Sequence, residues 1–258
     1  MNNIFNMQRF LWLFSKHTKE NYKSYLMYTG LFVAILSVAL GWVAYFGGLR
    51  NNEMQEVFFA FSLTFSGALF ASLTFSNLGD KSNAISVLTL PVSTFERFLV
   101  AWIYSFVIFQ IVFVVSFYAV DITVLNISNR YSTVPTKLLD ITSEETKLYI
   151  VFLFFWFLHS VAFLGSIFFK KQHFTGTALV FFLALIILIV INQGLVALII
   201  GDQVSVKLPF SHLFVQEGNS SYYIDTHTSM PFVLTLMLSV SAVCLWTAAY
   251  FKLKEKQV

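Results

Sequence analysis

The chain has 258 residues, of which 57% are hydrophobic and only 11% are charged, and its mean hydropathy is +0.74. Soluble domains carry about 25% charged residues, so this composition excludes that class and indicates a protein embedded in lipid. A net charge of +3 is too small to indicate a nucleic-acid partner. The single cysteine, Cys244, excludes an intrachain disulfide. We therefore expect an all-α membrane protein in which residues 1–258 form a single transmembrane domain.

The N-terminal segment has an amphipathic pattern. Its apolar residues recur at three- and four-residue spacing, at Ile4, Met7, Phe10, Leu11 and Phe14. A stretch this short cannot cross a bilayer, so the pattern predicts an interfacial elbow helix over residues 4–22 that contacts membrane lipids. The chain would then turn near Tyr22 to Tyr25 into the first span. An ordinary membrane anchor without a mechanical role is the alternative.

Six charge-free apolar windows follow, each long enough to cross a bilayer. They cover residues 26–47, 57–79, 98–120, 148–169, 174–201 and 226–251. Backbone N–H and C=O groups must be paired inside lipid, and segments of this length can pair them by becoming helices. The sequence therefore predicts six transmembrane helices.

A few polar side chains lie inside these windows. They are Gln110 in the third, His159 in the fourth, and Asn192 and Gln193 in the fifth. Because polar groups in lipid are costly, we expect them to face the bundle interior or a partner subunit. They would line a substrate pathway, or form interhelical hydrogen bonds of about 1 kcal/mol each. No Asp or Glu falls inside a window, which favours an external energy source over a proton or sodium gradient.

The second window also carries a patch of small residues, Ser66, Gly67 and Ala71. Small residues let two helix backbones approach closely, so this patch predicts a helix-packing surface. The 31 phenylalanines are expected to fill helix contacts and lipid-facing surface.

The basic residues predict the orientation. With the N-terminus inside, 11 of the 16 Lys and Arg residues are cytoplasmic, whereas nine of the 13 acidic residues lie on the outer side. The positive-inside rule therefore favours a topology with both termini in the cytoplasm.

The longest cytoplasmic loop, Asp80 to Arg97, carries capping signals. Asp80 is a good N-cap for a short helix, Pro91 ends that helix, and Ser93 with Glu96 has the spacing of a capping box that starts the third span. The helix would present its apolar residues on one face, at Ala84, Ile85 and Leu88. Held by two spans, it would act as a lever for a soluble partner. A plain loop with chance capping signals is the alternative.

This loop resembles a segment of the type-two ABC transporter permeases. Gly79-Asp80-Lys81 and Leu88-Thr89-Leu90-Pro91-Val92-Ser93 are similar to the family's "G-D-K…L-L-x-L-P-V-S" pattern, in which a coupling helix docks on the ATP-binding subunit. The resemblance implies that the partner contacts are made by Asp80, Lys81, Ser82, Asn83, Ala84, Ile85 and Leu88. Ser82-Asn83-Ala84 departs from the family, which often has charged residues followed by Gly-Thr there.

The family implies an ATP-driven exporter built from two permease subunits, identical or homologous, and two cytoplasmic ATPases in a bacterial inner membrane. ATP and Mg²⁺ would bind to the ATPase, and this chain would carry no cofactor, no metal and no catalytic residue. The sequence has no Gly-x-x-x-x-Gly-Lys-Ser/Thr phosphate loop, in agreement with that division of labour. Two alternatives stay open: a scaffold that recruits an ATPase without transporting a substrate, and a proton-coupled carrier that uses His159.

Overall fold

The chain folds into a bundle of long helices with a small sheet between the last two. The computed structural model describes residues 5–46, 52–75, 92–130, 135–141, 143, 148–169, 172–200, 204–205, 213–217, 220–224 and 230–256. The helices are α1 (Met7–Tyr45), α2 (Asn52–Leu73), α3 (Thr94–Asn129), α4 (Leu148–Phe168), α5 (His173–Ile200) and α6 (Met230–Glu255).

All six of these helices are long and apolar enough to cross a membrane. They coincide with the six windows predicted from the sequence, which confirms a multi-pass membrane protein. Helices of 21 or more residues reach across the roughly 30 Å hydrocarbon layer at about 1.5 Å per residue.

The N-terminal helix differs from the prediction. Residues Met7–Tyr45 form one uninterrupted helix of 39 residues, so the expected turn near Tyr22 to Tyr25 is wrong, and the segment predicted as an elbow is continuous with the first span. A helix of this length measures about 58 Å, nearly twice the hydrocarbon thickness. Much of the charged N-terminal half of α1 must therefore lie outside the hydrocarbon layer.

Helix α3 is also longer than its window and is not uniform. It is α-helical over Thr94–Trp102 and Phe109–Asn129 and π-helical over Ile103–Ile108. A π-helical turn shifts the side chains that follow it around the helix axis, and such turns are frequent at functional sites. In this chain the π-helical turn carries Tyr104, Ser105 and Phe106, all buried.

The connection between α5 and α6 adds a small antiparallel sheet to the expected all-α fold. Its strands are β1 (Val204–Ser205), β2 (Leu213–Glu217) and β3 (Ser220–Ile224), in the order β1-β2-β3. Strand β2 pairs along its full length with β3, with Leu213 opposite Ile224 and Glu217 opposite Ser220. The strands pair backbone groups in the stretch between the fifth and sixth apolar windows.

Aromatic side chains fill the bundle core. Phe59, Phe117, Phe155 and Phe163 are fully buried, and the ring of Phe59 lies 5.0 Å from that of Phe117 in an edge-to-face contact. Edge-to-face and offset contacts are the preferred aromatic geometries and add to the packing energy. Helix α4 is central, since its side chains contact α2, α3 and α6, whereas the apolar window of α5 has no buried residue.

Several chain segments meet at one end of the bundle. Asn6 before α1 contacts Glu96 at the start of α3, and Phe95 contacts Tyr250 near the end of α6. Lys252 in turn lies over the ring of Phe168, at the end of α4. Both ends of the described chain therefore lie at the same end of the bundle as the start of α3, which we call the junction end.

The small-residue patch of α2 packs as predicted. Ala71 is fully buried, and a Cβ placed on Gly67 would collide with the buried ring of Phe155 and crowd that of Phe109. Gly41 on α1 is different, because a Cβ there meets nothing within 4 Å.

We predict that Gly67→Ala destabilises the protein by about 1–3 kcal/mol, since the Phe155 ring cannot move without disturbing the core. Gly41→Ala is the matched control, because it gains the same helix propensity without a collision. Thermal unfolding in detergent micelles measures both variants. Equal stability of the two variants would contradict the packing described for α2 and α4.

Candidate functional site

The segment predicted to couple to a partner connects α2 to α3. Asp80, Lys81, Ser82, Asn83, Ala84, Ile85, Leu88 and Pro91 lie outside the described residues. The structure does describe both flanks of this segment. Phe75 at the end of α2 is buried against Phe163, and Ser93 immediately precedes α3.

The start of α3 is capped by Ser93 and Glu96. The Ser93 hydroxyl accepts a hydrogen bond from the Glu96 backbone N–H at 3.1 Å, and the Glu96 carboxylate accepts one from the Ser93 N–H at 2.9 Å. This reciprocal pair is the capping box that the Ser-x-x-Glu spacing predicts. The capping box fixes the first turn of α3, which follows the predicted coupling segment, residues 80–91, in the sequence.

The same carboxylate also holds the start of α1. Glu96 Oε1 accepts hydrogen bonds from the Asn6 backbone N–H at 2.7 Å and from the Arg9 guanidinium at 3.0 Å. Asn6 is the N-cap of α1, and its own side chain accepts from Gln8 N. One carboxylate thus satisfies a backbone donor at the start of two helices, and Glu96 is fully buried in doing so.

Arg97, the next residue, is a second buried charge at the junction end. Its side chain is 6% exposed, and its Nε and Nη1 atoms have no hydrogen-bond partner. One turn further along α3, Ala101 packs in a core cluster with Ala71 of α2, Phe163 of α4 and Ala249 of α6. Arg97 therefore lies on the side of α3 that faces the other helices of the bundle.

A second polar tie joins α1 to α3 at the π-helical turn. The hydroxyl groups of Thr18 and Tyr104 are hydrogen-bonded, and His17 Nε2 lies 2.6 Å from the hydroxyl oxygen of Tyr25. The rings of His17 and Tyr25 also pack on Tyr104, with centroids 4.5 and 5.7 Å away. The N-terminal half of α1 is therefore fixed along α3 at two levels, Glu96 and Tyr104.

His159 lies at the centre of a polar network in the bundle interior. The indole N–H of Trp246 donates to His159 Nδ1 at 3.2 Å, and His159 Nε2 lies 3.0 Å from the Ser105 hydroxyl oxygen. Because Nδ1 accepts a hydrogen bond, the proton of a neutral imidazole sits on Nε2 and is donated to Ser105. Ser105 can then donate to the Trp102 carbonyl oxygen, 3.5 Å away.

This network connects three helices, since His159 belongs to α4, Ser105 to α3 and Trp246 to α6. Aromatic rings surround it, with Phe106, Phe155 and Phe163 all within 6 Å of the imidazole. Both ring nitrogens are occupied and His159 is fully buried. The geometry is that of an interhelical hydrogen-bond network, the simpler of the two roles expected for this residue.

The other polar residues predicted within the spans differ in exposure. Gln110 on α3 is partly buried. On α5, Asn192 is partly buried and Gln193 is exposed. A shared substrate pathway lined by these residues stays a prediction.

Two buried polar residues near the other end of the bundle were not predicted. Asp121 in α3 and Gln55 in α2 are both fully buried. Asp121 lies one residue beyond the third charge-free window, residues 98–120. The windows contain no Asp or Glu, but helix α3 continues past its window and therefore includes this carboxylate. The sequence signal for its burial is that apolar residues continue after it, at Ile122, Val124 and Leu125 of the same helix.

The chain was compared with protein-family models, with curated protein sequences and with solved structures, and none of the three comparisons finds a match.

We predict that Glu96→Ala destabilises the protein by about 1–3 kcal/mol, because it leaves backbone donors at two helix starts and a guanidinium without their acceptor. Glu96→Gln, which keeps one acceptor, should have an intermediate effect. Glu255→Ala is the control, since it removes an exposed ion pair with Lys252. Chemical unfolding and amide exchange of residues 5–12 measure the effect, and equal loss in Glu96→Ala and Glu255→Ala would refute this role.

We also predict that Trp246→Phe lowers stability by about 1 kcal/mol, because the His159 Nδ1 acceptor loses its donor while the aromatic packing is largely kept. Trp42→Phe is the matched control, since Trp42 on α1 is exposed. Unfolding midpoints in detergent give the comparison. If both substitutions have the same effect, the hydrogen bond to His159 contributes nothing to stability.

Proposed function

We propose that this chain is the transmembrane permease subunit of an ATP-driven ABC exporter in a bacterial inner membrane. ATP is hydrolysed on a separate cytoplasmic ATPase, which binds Mg²⁺ and ATP, and this chain converts the movement of that ATPase into substrate translocation. The chain itself is not an enzyme in this proposal.

The observation that carries the proposal is the sequence of the coupling segment, taken together with the contacts of its described flanks. Its sequence resembles the coupling helix of type-two permeases, and its two described flanks, Phe75 and Ser93, lie just after α2 and directly before α3. Glu96, three residues after Ser93, is hydrogen-bonded to the N-cap of α1. A partner that displaces this segment would therefore act on three helices through direct contacts.

The charge at the junction end supports its assignment to the cytoplasm. The described basic residues on the segments that meet there are Arg9, Lys16, Lys19, Lys23, Arg97, Lys252, Lys254 and Lys256. By the positive-inside rule this end faces the cytoplasm, where a soluble ATPase would reach the coupling segment. Both termini lie on that side in this arrangement.

The exposed surface of α5 supports a second permease subunit. None of the residues in its apolar window is buried, and Gln193 is exposed near its outer end. We propose that part of this surface contacts lipid and that an identical or homologous subunit completes the translocation pathway.

The proton-coupled alternative rests on His159, whose two ring nitrogens already have partners in Ser105 and Trp246. A proton relay would require breaking this network in each cycle. The geometry therefore favours the ATP-driven proposal over that alternative.

The test is a substitution on the apolar face of the coupling segment. We predict that Ile85→Asp and Leu88→Asp each abolish co-purification of the ATPase and its stimulation, because a carboxylate cannot be buried in an apolar docking cleft. Ser86→Asp, on the opposite face of the predicted helix, is the matched control and should keep both properties. Measurements are ATP hydrolysis of the purified complex and ATP-dependent transport in reconstituted vesicles.

Wild-type ATPase stimulation in the Ile85→Asp and Leu88→Asp variants would contradict the coupling role. Partner binding without any ATP-dependent flux of candidate amphiphilic substrates would instead support the scaffold alternative.

A further inference from the structure

A short extended segment, residues 135–141, lies across the end of the bundle opposite the junction end; we call it the strap. Three side chains hold it through hydrogen bonds. Asn129 bonds to both the N–H and the C=O of Thr136, at 2.9 and 3.0 Å. Gln55 donates to the Lys137 carbonyl at 3.2 Å, and the Tyr118 hydroxyl donates to the Leu139 carbonyl at 2.8 Å. Leu139 itself is buried in the main core cluster.

Beneath the strap lie oxygen acceptors that lack donors. Asp121 is fully buried, and neither of its carboxyl oxygens has a well-aligned hydrogen-bond partner among the described residues; the backbone N–H of Leu139, on the strap, lies close enough to interact with the carboxyl group. Gln55 is also fully buried, and its Oε1 atom is unpartnered because its amide group is turned toward the strap.

The helix register places Gln55 and Asp121 at the same level. Phe59 on α2 packs against Phe113 and Phe117 on the antiparallel helix α3. One turn toward the strap leads from Phe59 to Gln55 and from Phe117 to Asp121. Both side chains therefore lie below residues 137–139.

No described basic side chain neutralises Asp121. At this end of the bundle, the described ionisable residues on the elements packed around it are Tyr45 of α1, Tyr118 and Arg130 of α3, Glu53 and Glu56 of α2, Lys137 and Asp140 of the strap, and Tyr149 of α4. None of them forms an ion pair or a hydrogen bond with the Asp121 carboxyl group. Arg130 and Lys137, the two cations in this set, are both exposed.

A buried carboxylate without a partner costs several kcal/mol, so the group must be neutralised by a bound proton or a cation. A proton converts one Asp121 oxygen into a donor that can bond to Gln55 Oε1, and this removes unpartnered atoms on both residues at once. A metal ion would require additional oxygen ligands, and the described residues contain no cluster of three or more His, Cys, Asp or Glu side chains.

We propose that Asp121 and Gln55 form a proton-binding site that keeps the strap seated on the bundle. The protonated carboxyl group donates a hydrogen bond to Gln55 Oε1, and the Gln55 Nε2 group continues to donate to the Lys137 carbonyl oxygen. When Asp121 ionises, water can hydrate the carboxylate only if the strap moves away from the bundle. Strap opening is therefore coupled to the loss of one proton, and rising pH favours the open state.

Hydrogen exchange of residues 135–141 in the full-length protein tests the proposal. We predict that the opening constant obtained from protection factors rises about tenfold per pH unit until Asp121 has ionised in the closed state, and then levels off. Asp121→Asn should remove this pH dependence and stay protected, because its amide group can donate to Gln55 Oε1. Asp140→Asn, which changes an exposed carboxylate on the strap itself, should keep the wild-type dependence.

Difference infrared spectroscopy gives an independent measurement on the wild-type protein. The C=O stretching band of a protonated carboxyl group should disappear over the pH range in which the opening constant levels off, and it should be absent from Asp121→Asn. Absence of this band from the wild type, or loss of strap protection in Asp121→Asn at every pH, would overturn the proposal. So would protection of the wild-type strap that depends on added Na⁺ or Ca²⁺ and not on pH.

Discussion

The start of a helix leaves backbone N–H groups that the helix itself cannot satisfy, and where those groups are buried they need an acceptor from the protein. In this protein one buried carboxylate, Glu96, meets that constraint for two helices at once. It accepts from the N-cap residues of both α1 and α3. Since losing either contact leaves a buried donor unpaired, the two helix starts are coupled, and displacement of one tends to displace the other.

Helix α3 makes the polar ties that connect the rest of the bundle. Glu96 and Tyr104 hold α1, Ser105 reaches the His159 network shared with α4 and α6, and Tyr118 holds the strap. Within lipid, apolar contact between helices has little advantage over contact with the acyl chains, so hydrogen bonds and close packing determine which helices associate. The positions of these polar residues therefore fix the arrangement of α1, α3, α4 and α6.

The sequence predicts the features that depend on local composition. Six apolar windows become six helices because lipid allows few other structures, and the Ser93 and Glu96 capping box follows from a three-residue spacing. It does not predict contacts between distant residues. The bond from Asn6 to Glu96 spans 90 positions, and the continuity of α1 depends on packing against α3 that no local pattern contains. Asp121 was missed because a charge-free window ends at the first charged residue, whereas the helix continues.

The two ends of α3 thus differ in the kind of polar group they bury. At the junction end, Glu96 is matched by three donors, so its contacts hold while the carboxyl group is ionised. At the other end, the carboxyl oxygens of Asp121 and the Oε1 atom of Gln55 are buried acceptors without a well-aligned donor, and in the proposed site a proton on Asp121 completes the arrangement. In the proposed exporter, the first end receives the movement of the ATPase and the second borders the compartment into which substrate is released. The Glu96 contacts of α3 do not depend on a titrating proton, whereas the proposed Asp121–Gln55 contact does. The strap end of α3 can therefore open while the Glu96 contacts at the junction end stay intact.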